Sequence, residues 1–416
     1  MFGQLFIKEC RQTLKSLIFW LIVLGLLLNF STQLGNMEIM DAPVKGQEEY
    51  GYHTSTDREV IMESTLGALA EEYCRENYAT YPIGFYKNVT LNKKEINRIE
   101  EILEETTGLS GMEEIEKAID GWYAKGELET EQRTGRLMLK PEEGLTYERF
   151  IELMDEVDDI LGGGSKYGEG HRDKNAQVLM TYEEALEEYQ FLIKNDRLTG
   201  GYARLFSDYM VIFLSILPVF LAVTRSLRDR RAKIQELIYT RRASSVVVVS
   251  SRYFAMLAML AVSVLALSVI PLMQCVKYGS VAGVSVDIFA FVKYTFGWLM
   301  PSVMITLSVG MFLTELTDTA VAVLVQGAWW FVSIFGGVNS LKGGMYGWNL
   351  APRHNTELNW KGYHDGFSQL AANRIFYAAL SVALLAFTVF IYSQKRKGRL
   401  VFRGKILADR KNKFKV

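Results

Sequence analysis

Three cysteines in 416 residues are too few for a disulfide framework, and 7 prolines are too few for a collagen-like or low-complexity chain. The 4 histidines are scattered, and no H-E-x-x-H, G-x-S-x-G or G-x-x-x-x-G-K-[ST] pattern occurs. The chain therefore has no phosphate-cradling loop and no recognisable hydrolase or zinc-protease centre of its own. A match to Leu109-Ser110-Gly111 alone is too short to carry meaning. His354 and His364 stand ten apart in a Gly- and Trp-rich segment and lack a third metal ligand, so they read as interfacial or surface histidines. Nothing in the pattern points to nucleic acid.

Charge is present but unevenly placed. The net charge is −1, from 46 Lys+Arg and 47 Asp+Glu. Residues 34–204 hold 37 acidic and 19 basic groups, a net of −18, while the remainder carries a net of +17. Outside the acidic segment lie six apolar runs, at about 17–34, 205–223, 253–273, 292–313, 320–338 and 375–392. Each approaches the roughly 20 residues that a helix needs to cross a hydrocarbon core about 30 Å thick. Because lipid offers backbone groups no partner, such runs are expected to be helices. The third can begin at Ser245 if Arg252 snorkels to the interface.

Basic residues set the expected orientation. The loop 224–252 has a net charge of +6 and the segment after Tyr392 a net of +9. With six spans, these and the N-terminus share one side, which the positive-inside rule assigns to the cytoplasm of a plasma membrane. Glu315 and Asp318, in the turn 314–319, run against that pattern, but acidic residues weigh little in the rule. No A-x-A-like cleavage site follows Phe30, so the first run reads as a retained anchor rather than a signal peptide. Before it, Phe2, Leu5, Phe6, Cys10, Leu14 and Leu17 recur at intervals of 3 and 4, with Lys8, Arg11 and Lys15 between them. This is either an amphipathic helix lying on the inner leaflet or the frayed start of the first span.

The acidic segment reads as a mainly helical extracytoplasmic domain. Asn92 with Glu95, and Thr181 with Glu184, have capping-box spacing. Phe150, Leu153, Val157 and Leu161 give a further helix that Gly162-Gly163-Gly164 ends, and a weaker helical pattern runs from Val60 to Tyr73. Asp155, Glu156, Asp158 and Asp159 lack EF-hand spacing and read as a solvated acidic face. Cys74 and Cys275 fall on the same expected side, but spacing cannot pair them. The spans carry almost no ionisable groups, which argues against ion-driven transport, with Asp208 the weak exception. Pro218, Pro271 and Pro301 fall in or at the ends of the second, third and fourth runs, as ordinary membrane-helix prolines or as kinks.

The loop 224–252 contains Glu236-Leu237-Ile238, then Thr240 and Ser244, then Ser251-Arg252. In this order and layout the chain resembles the ABC-2 type permease family, the membrane subunits of one class of ATP-binding-cassette exporters. That family's loop reads Glu-Leu-Leu, Thr-x-Pro-x-Ser-Arg, then a small residue and a base; here Arg242 stands in the proline's place. The turn 314–319 and the polar segment before the last span, with Met345, Tyr346, Trp348 and Trp360, also look like the family.

The resemblance covers about residues 1–34 and 205–393. It implies an all-α polytopic membrane protein with an amphipathic elbow (1–16), a first span (17–34), an extracytoplasmic domain (35–204), five further spans (205–393) and a basic cytoplasmic tail (394–416). It implies a coupling helix in which Gln235, Glu236, Leu237, Ile238, Thr240, Arg241 and Arg242 meet a separate ATPase subunit. That partner would hold the ATP and magnesium, so no cofactor is expected in this chain and it is not itself an enzyme. It also implies a second permease subunit, identical or paralogous, besides membrane lipids. The apolar spans favour a lipid, hydrophobic peptide or antibiotic as cargo. The alternative is a membrane-bound sensor whose acidic domain binds a ligand; a multi-span membrane enzyme finds no polar constellation to support it.

Overall fold

The computed structural model describes residues 1–35, 37–47, 49–82, 86–126, 137–240, 242–337, 346–354 and 358–399. Two compact units emerge. One comprises Asp41–Tyr189, and the other Met1–Met40 with the chain from Gln190 onward. The first is therefore shorter at both ends than the expected segment 35–204.

Helices α1 (Phe2–Leu14) and α2 (Leu17–Leu34) open the chain. The unit Asp41–Tyr189 follows with β1 (Tyr52–Thr54), α3 (Arg58–Cys74), β2 (Tyr78–Thr80), β3 (Lys87–Val89), α4 (Lys93–Thr107), α5 (Gly111–Gly126), α6 (Tyr147–Leu161) and β4 (Gln177–Leu179), and ends within α7 (Tyr182–Lys194). The strands pair antiparallel as β1–β4 and β2–β3. The core lies between helices: Leu66 and Leu69 of α3, Ile99 and Ile102 of α4, and Phe150, Leu153 and Val157 of α6. Both expected capping boxes form. Asn92 accepts from the Glu95 N–H while Glu95 accepts from the Asn92 N–H at 2.9 Å, and Thr181 and Glu184 exchange the same pair of bonds. Helix α6 ends on Gly162 in the left-handed conformation, φ 89°, which a side chain would strain.

The supposed solvated acidic face of α6 is largely engaged. Arg98 grips Glu156 through two bonds of 2.7 and 2.9 Å, and the guanidinium holds that carboxyl below its usual range. Asp155 pairs with buried Arg172, and Asp158 accepts from the Ser165 N–H at 2.7 Å. Asp155 and Asp159 are exposed, as expected of a solvated face, but Arg172 and Arg98 pair with Asp155 and Glu156, and the Ser165 N–H engages Asp158.

After α7 come α8 (Thr199–Leu214), α9 (Pro218–Arg231), α10 (Gln235–Tyr239), α11 (Ser245–Ala282), α12 (Ala290–Tyr294), α13 (Met300–Thr317), α14 (Val321–Gly337) and α15 (Trp360–Arg396). A π-helical stretch, Thr295–Leu299, joins α12 to α13, so Ala290–Thr317 forms one rod. Among the described residues, four helices are long and apolar enough to cross a membrane: Leu17–Leu34, Ser245–Ala282, Ala290–Thr317 and Trp360–Arg396. The chain is thus a mainly helical protein of membrane type. At 1.5 Å per residue, α11 and α15 are each about 55 Å long, far more than the hydrocarbon core needs. Helix α11 begins at Ser245, as the apolar run 246–249 allowed, with Ser244 capping the Val247 N–H at 3.3 Å.

The second and fifth apolar runs differ from simple spans. The second is a pair, α8 and α9, bent by 42° at Pro218, and the fifth, α14, is only 17 residues long. Pro218 has no N–H, and the turn before it is tightened, so the carbonyls of Ile212 and Ser215 lose their helical donors. Neighbouring helices replace them. Gln326 of α14 donates to Ser215 O at 2.6 Å, Thr306 of α13 to the same oxygen at 3.0 Å, and Trp330 of α14 to Ile212 O at 2.8 Å. This is how a break survives among apolar helices. Pro271, by contrast, lies inside unbroken α11, and Pro301 follows directly on the π-helical stretch inside the rod Ala290–Thr317, so neither proline breaks its helix. Gln326→Leu is expected to lower stability by about 1 kcal/mol, read as a lower thermal midpoint of the detergent-solubilised chain.

Around this break the bundle packs closely. Its core joins Phe19 and Leu26 of α2, Phe206 and Met210 of α8, Met256 and Val264 of α11, and Val303 of α13. Gly310 lets α13 approach α9: a Cβ there would lie 2.6 Å from the Ala222 Cβ. Gly310→Val should destabilise the chain by about 1–3 kcal/mol through overpacking, with the same thermal readout.

Candidate functional site

The basic loop is held from several sides. Helix α9 ends in Arg228, Arg230 and Arg231, cations suited to the negative end of a helix. Lys233, in the left-handed region at φ 55°, turns the chain into α10. Arg230 donates to Gln235 at 3.1 Å, and Gln235 reaches the Tyr239 hydroxyl. The Tyr239 ring meets Tyr392 of α15 edge-on, centroids 5.5 Å apart. Burial pushes the Tyr239 hydroxyl above its ordinary pKa, so it stays a neutral partner. Arg396 of α15 then caps the C-terminal end of α10, donating to Tyr239 O at 2.8 Å and Ala243 O at 2.5 Å.

Ion pairs extend this clasp to the other helix ends. Asp318, after α13, pairs with Arg230 and with Lys395, the latter at 2.5 Å; Lys395 also lies 3.4 Å from Glu315. Arg252 of α11 pairs with Asp229 of α9 and approaches Glu9 of α1 at 3.7 Å, and Glu9 pairs with Arg225. Lys395 and Glu9 are 8 % exposed and Arg225 is 6 %, so these charges need their partners. The two acids that break the basic pattern, Glu315 and Asp318, are thus the counter-charges of Lys395 and Arg230.

Of the residues expected to meet a partner, Gln235 and Ile238 turn inward. With Ser226, Asp229, Arg230, Arg252, Glu315 and Tyr392 they line a shallow polar cleft. Glu236, Leu237, Thr240 and Arg242 face outward, with Leu237 68 % exposed. Arg241 lies outside the described residues, as do Met345 and residues 400–416 of the basic tail. Leu237 and Ile238, both expected to meet a partner, thus differ in exposure in the chain alone. A helix of five residues turns successive side chains by about 100°, so only one of the two can point fully outward.

Sequence reasoning did not find Glu9, Lys395 or Arg396. The available signal was a single acid among Lys8, Arg11 and Lys15 on an amphipathic helix, set on its apolar side.

A second polar cluster surrounds residues 346–354. Arg374 of α15 is 5 % exposed and donates to Trp298 O at 3.0 Å, Ser302 Oγ at 2.7 Å and Asn373 Oδ1 at 3.0 Å, and reaches Asn349 O and Leu350 O at 3.4 Å. Asn373 donates to Gly347 O and Asn349 O, and Tyr377 to Trp348 O at 2.7 Å. His354 is 2 % exposed, so of the two readings, interfacial or surface, the surface one does not hold; its Nδ1 lies 2.9 Å from the Tyr346 hydroxyl. His364 is exposed and stacks on Trp360. Asp208 accepts from the His354 N–H and from Arg353 at 3.0 Å, which fixes it in a clamp. Cys10, Cys74 and Cys275 are free thiols, and no group of metal-binding side chains exists among the described residues. In comparisons with known proteins, no family model matches this chain, and neither does any curated protein or solved structure.

Proposed function

We propose that this chain is the membrane-spanning permease subunit of an ATP-driven exporter of ABC-2 type, moving an amphipathic or hydrophobic substrate such as a lipid, peptide or antibiotic. In this reading it crosses the plasma membrane six times. The bent pair α8–α9 and the short α14 are the second and fifth spans, both termini are cytoplasmic, and Asp41–Tyr189 lies outside. A separate ATPase subunit hydrolyses ATP with magnesium, and two permease subunits form the complex.

The observation that carries the reading is α10. It presents Leu237 outward while its inner side is tied to the ends of α9 and α15, and the same cluster of ion pairs reaches α1, α11 and α13. A push on such a helix reaches the ends of the spans directly, because the pairs joining them are short and mostly buried. An exposed apolar anchor ringed by polar residues suits a protein groove better than bulk water.

Two experiments test the proposal. The first reconstitutes the chain with its ATPase and follows ATP-dependent movement of candidate amphiphiles; equal movement with a hydrolysis-dead ATPase would overturn it. The second labels Ser110→Cys, an exposed position, in whole cells. Labelling from outside is expected, and protection there would reverse the orientation.

A further inference from the structure

We propose that α1 carries a binding strip for anionic phospholipid headgroups, formed by Lys8, Arg11 and Lys15. This inference rests on the membrane character of the chain and is independent of the exporter reading.

Helix α1 has three faces. Glu9 and Thr13, four residues apart, are buried, and the Thr13 hydroxyl returns to Glu9 O at 3.0 Å. Glu9 is held by Arg225 and Arg252, and Gln12 accepts from Arg225 at 2.7 Å and Arg228 at 2.5 Å. These bonds fix the roll of the helix about its axis. A second face is apolar and exposed, with Ile7 at 54 % and Leu14 at 42 %. Its apolar surface continues into exposed Leu17, Trp20 and Leu21 of α2, and the Trp20 indole donates to Leu14 O at 2.7 Å across the corner. Lys8, Arg11 and Lys15 make the third face. They are exposed, spaced 3 and 4 apart, and without a carboxylate partner among the described residues. The only acid of α1 is Glu9, and it is already engaged on the opposite face.

A lipid-facing ridge beside a basic ridge places three cations at headgroup depth, where an interfacial tryptophan is also favoured. The ridge of Ile7 and Leu14 runs on into exposed Leu17, Trp20 and Leu21 of the apolar helix α2, which favours the membrane over a soluble protein as its partner. A leaflet containing anionic phospholipid satisfies both ridges, and each basic group near its surface adds about a fivefold preference for the anionic lipid.

Trp20 supplies the test. The full chain is placed in phosphatidylcholine nanodiscs with rising mole fractions of brominated phosphatidylglycerol or brominated phosphatidylcholine, and fluorescence quenching is measured. Brominated phosphatidylglycerol should quench more at equal mole fraction, and Trp20→Phe should remove that excess. Raising salt from about 0.1 M to about 1 M should shrink it, as the screening length falls from about 10 Å to about 3 Å. In the variant K8Q/R11Q/K15Q the loss of three such groups, about a hundredfold in preference, should remove the excess quenching by brominated phosphatidylglycerol, whereas K8R/K15R should behave as the native chain does. Equal quenching by the two lipids in the native chain would overturn the proposal. So would an undiminished excess in K8Q/R11Q/K15Q, including the case in which that variant instead loses co-purification of an ATPase.

Discussion

Arg374→Ala should lower the stability of the chain by about 3–5 kcal/mol, seen as a fall in the thermal midpoint in detergent and as faster tryptic cleavage at Arg353. The guanidinium is buried and bridges α15, the Trp298 and Leu350 carbonyls and Ser302. Its removal leaves several acceptors, most of them buried, without this donor. Arg374→Lys should recover only part of the loss, because one ammonium cannot match a planar fork that reaches five groups. Segment 346–354 would then lose its main clamp, with Asn373 and Tyr377 still holding Gly347, Asn349 and Trp348. A midpoint within a degree or so of the native one would mean that these remaining bonds suffice.

Leu237→Asp should leave the thermal midpoint nearly unchanged yet weaken binding of the proposed ATPase subunit by about 30-fold or more, the effect of losing a contact of about 2 kcal/mol. The two readouts separate because Leu237 is 68 % exposed in the chain alone and touches little of it. Ile238→Asp should do the reverse first: it places a carboxylate in the cleft beside Asp229 and Glu315 and destabilises the clasp itself. Co-purification and stimulated hydrolysis measure binding, and unfolding measures the clasp. Unchanged binding and hydrolysis with Leu237→Asp would remove α10 as the contact.

These two sites differ in how far the sequence reveals them. Composition and run length alone determine that the chain is helical and of membrane type, because hydrocarbon length and backbone satisfaction leave few choices. Cap chemistry determined several helix ends in the acidic unit: Asn92 with Glu95, Thr181 with Glu184, and Gly162 all act locally, within a few residues. The short helix α10 in the loop 224–252 was expected from the resemblance alone, and no side chain caps its N-terminal end.

Tertiary structure decided everything that depends on partners distant in sequence. Which side of α10 faces out follows from Tyr392 and Arg396, more than 150 residues away. The acids Glu315 and Asp318 looked like exceptions to a charge rule until Arg230 and Lys395 came beside them. The bend at Pro218 was readable as a missing donor, but its tolerance rests on Gln326 and Trp330 of another helix. His354 and Asp208 changed from surface or relay candidates to clamp residues because Tyr346 and Arg353 met them in the folded chain. Periodicity and capping act over one or two turns and are written in the sequence. Burial of a charge is a property of which helices pack together, and a single sequence records only that the charge is there.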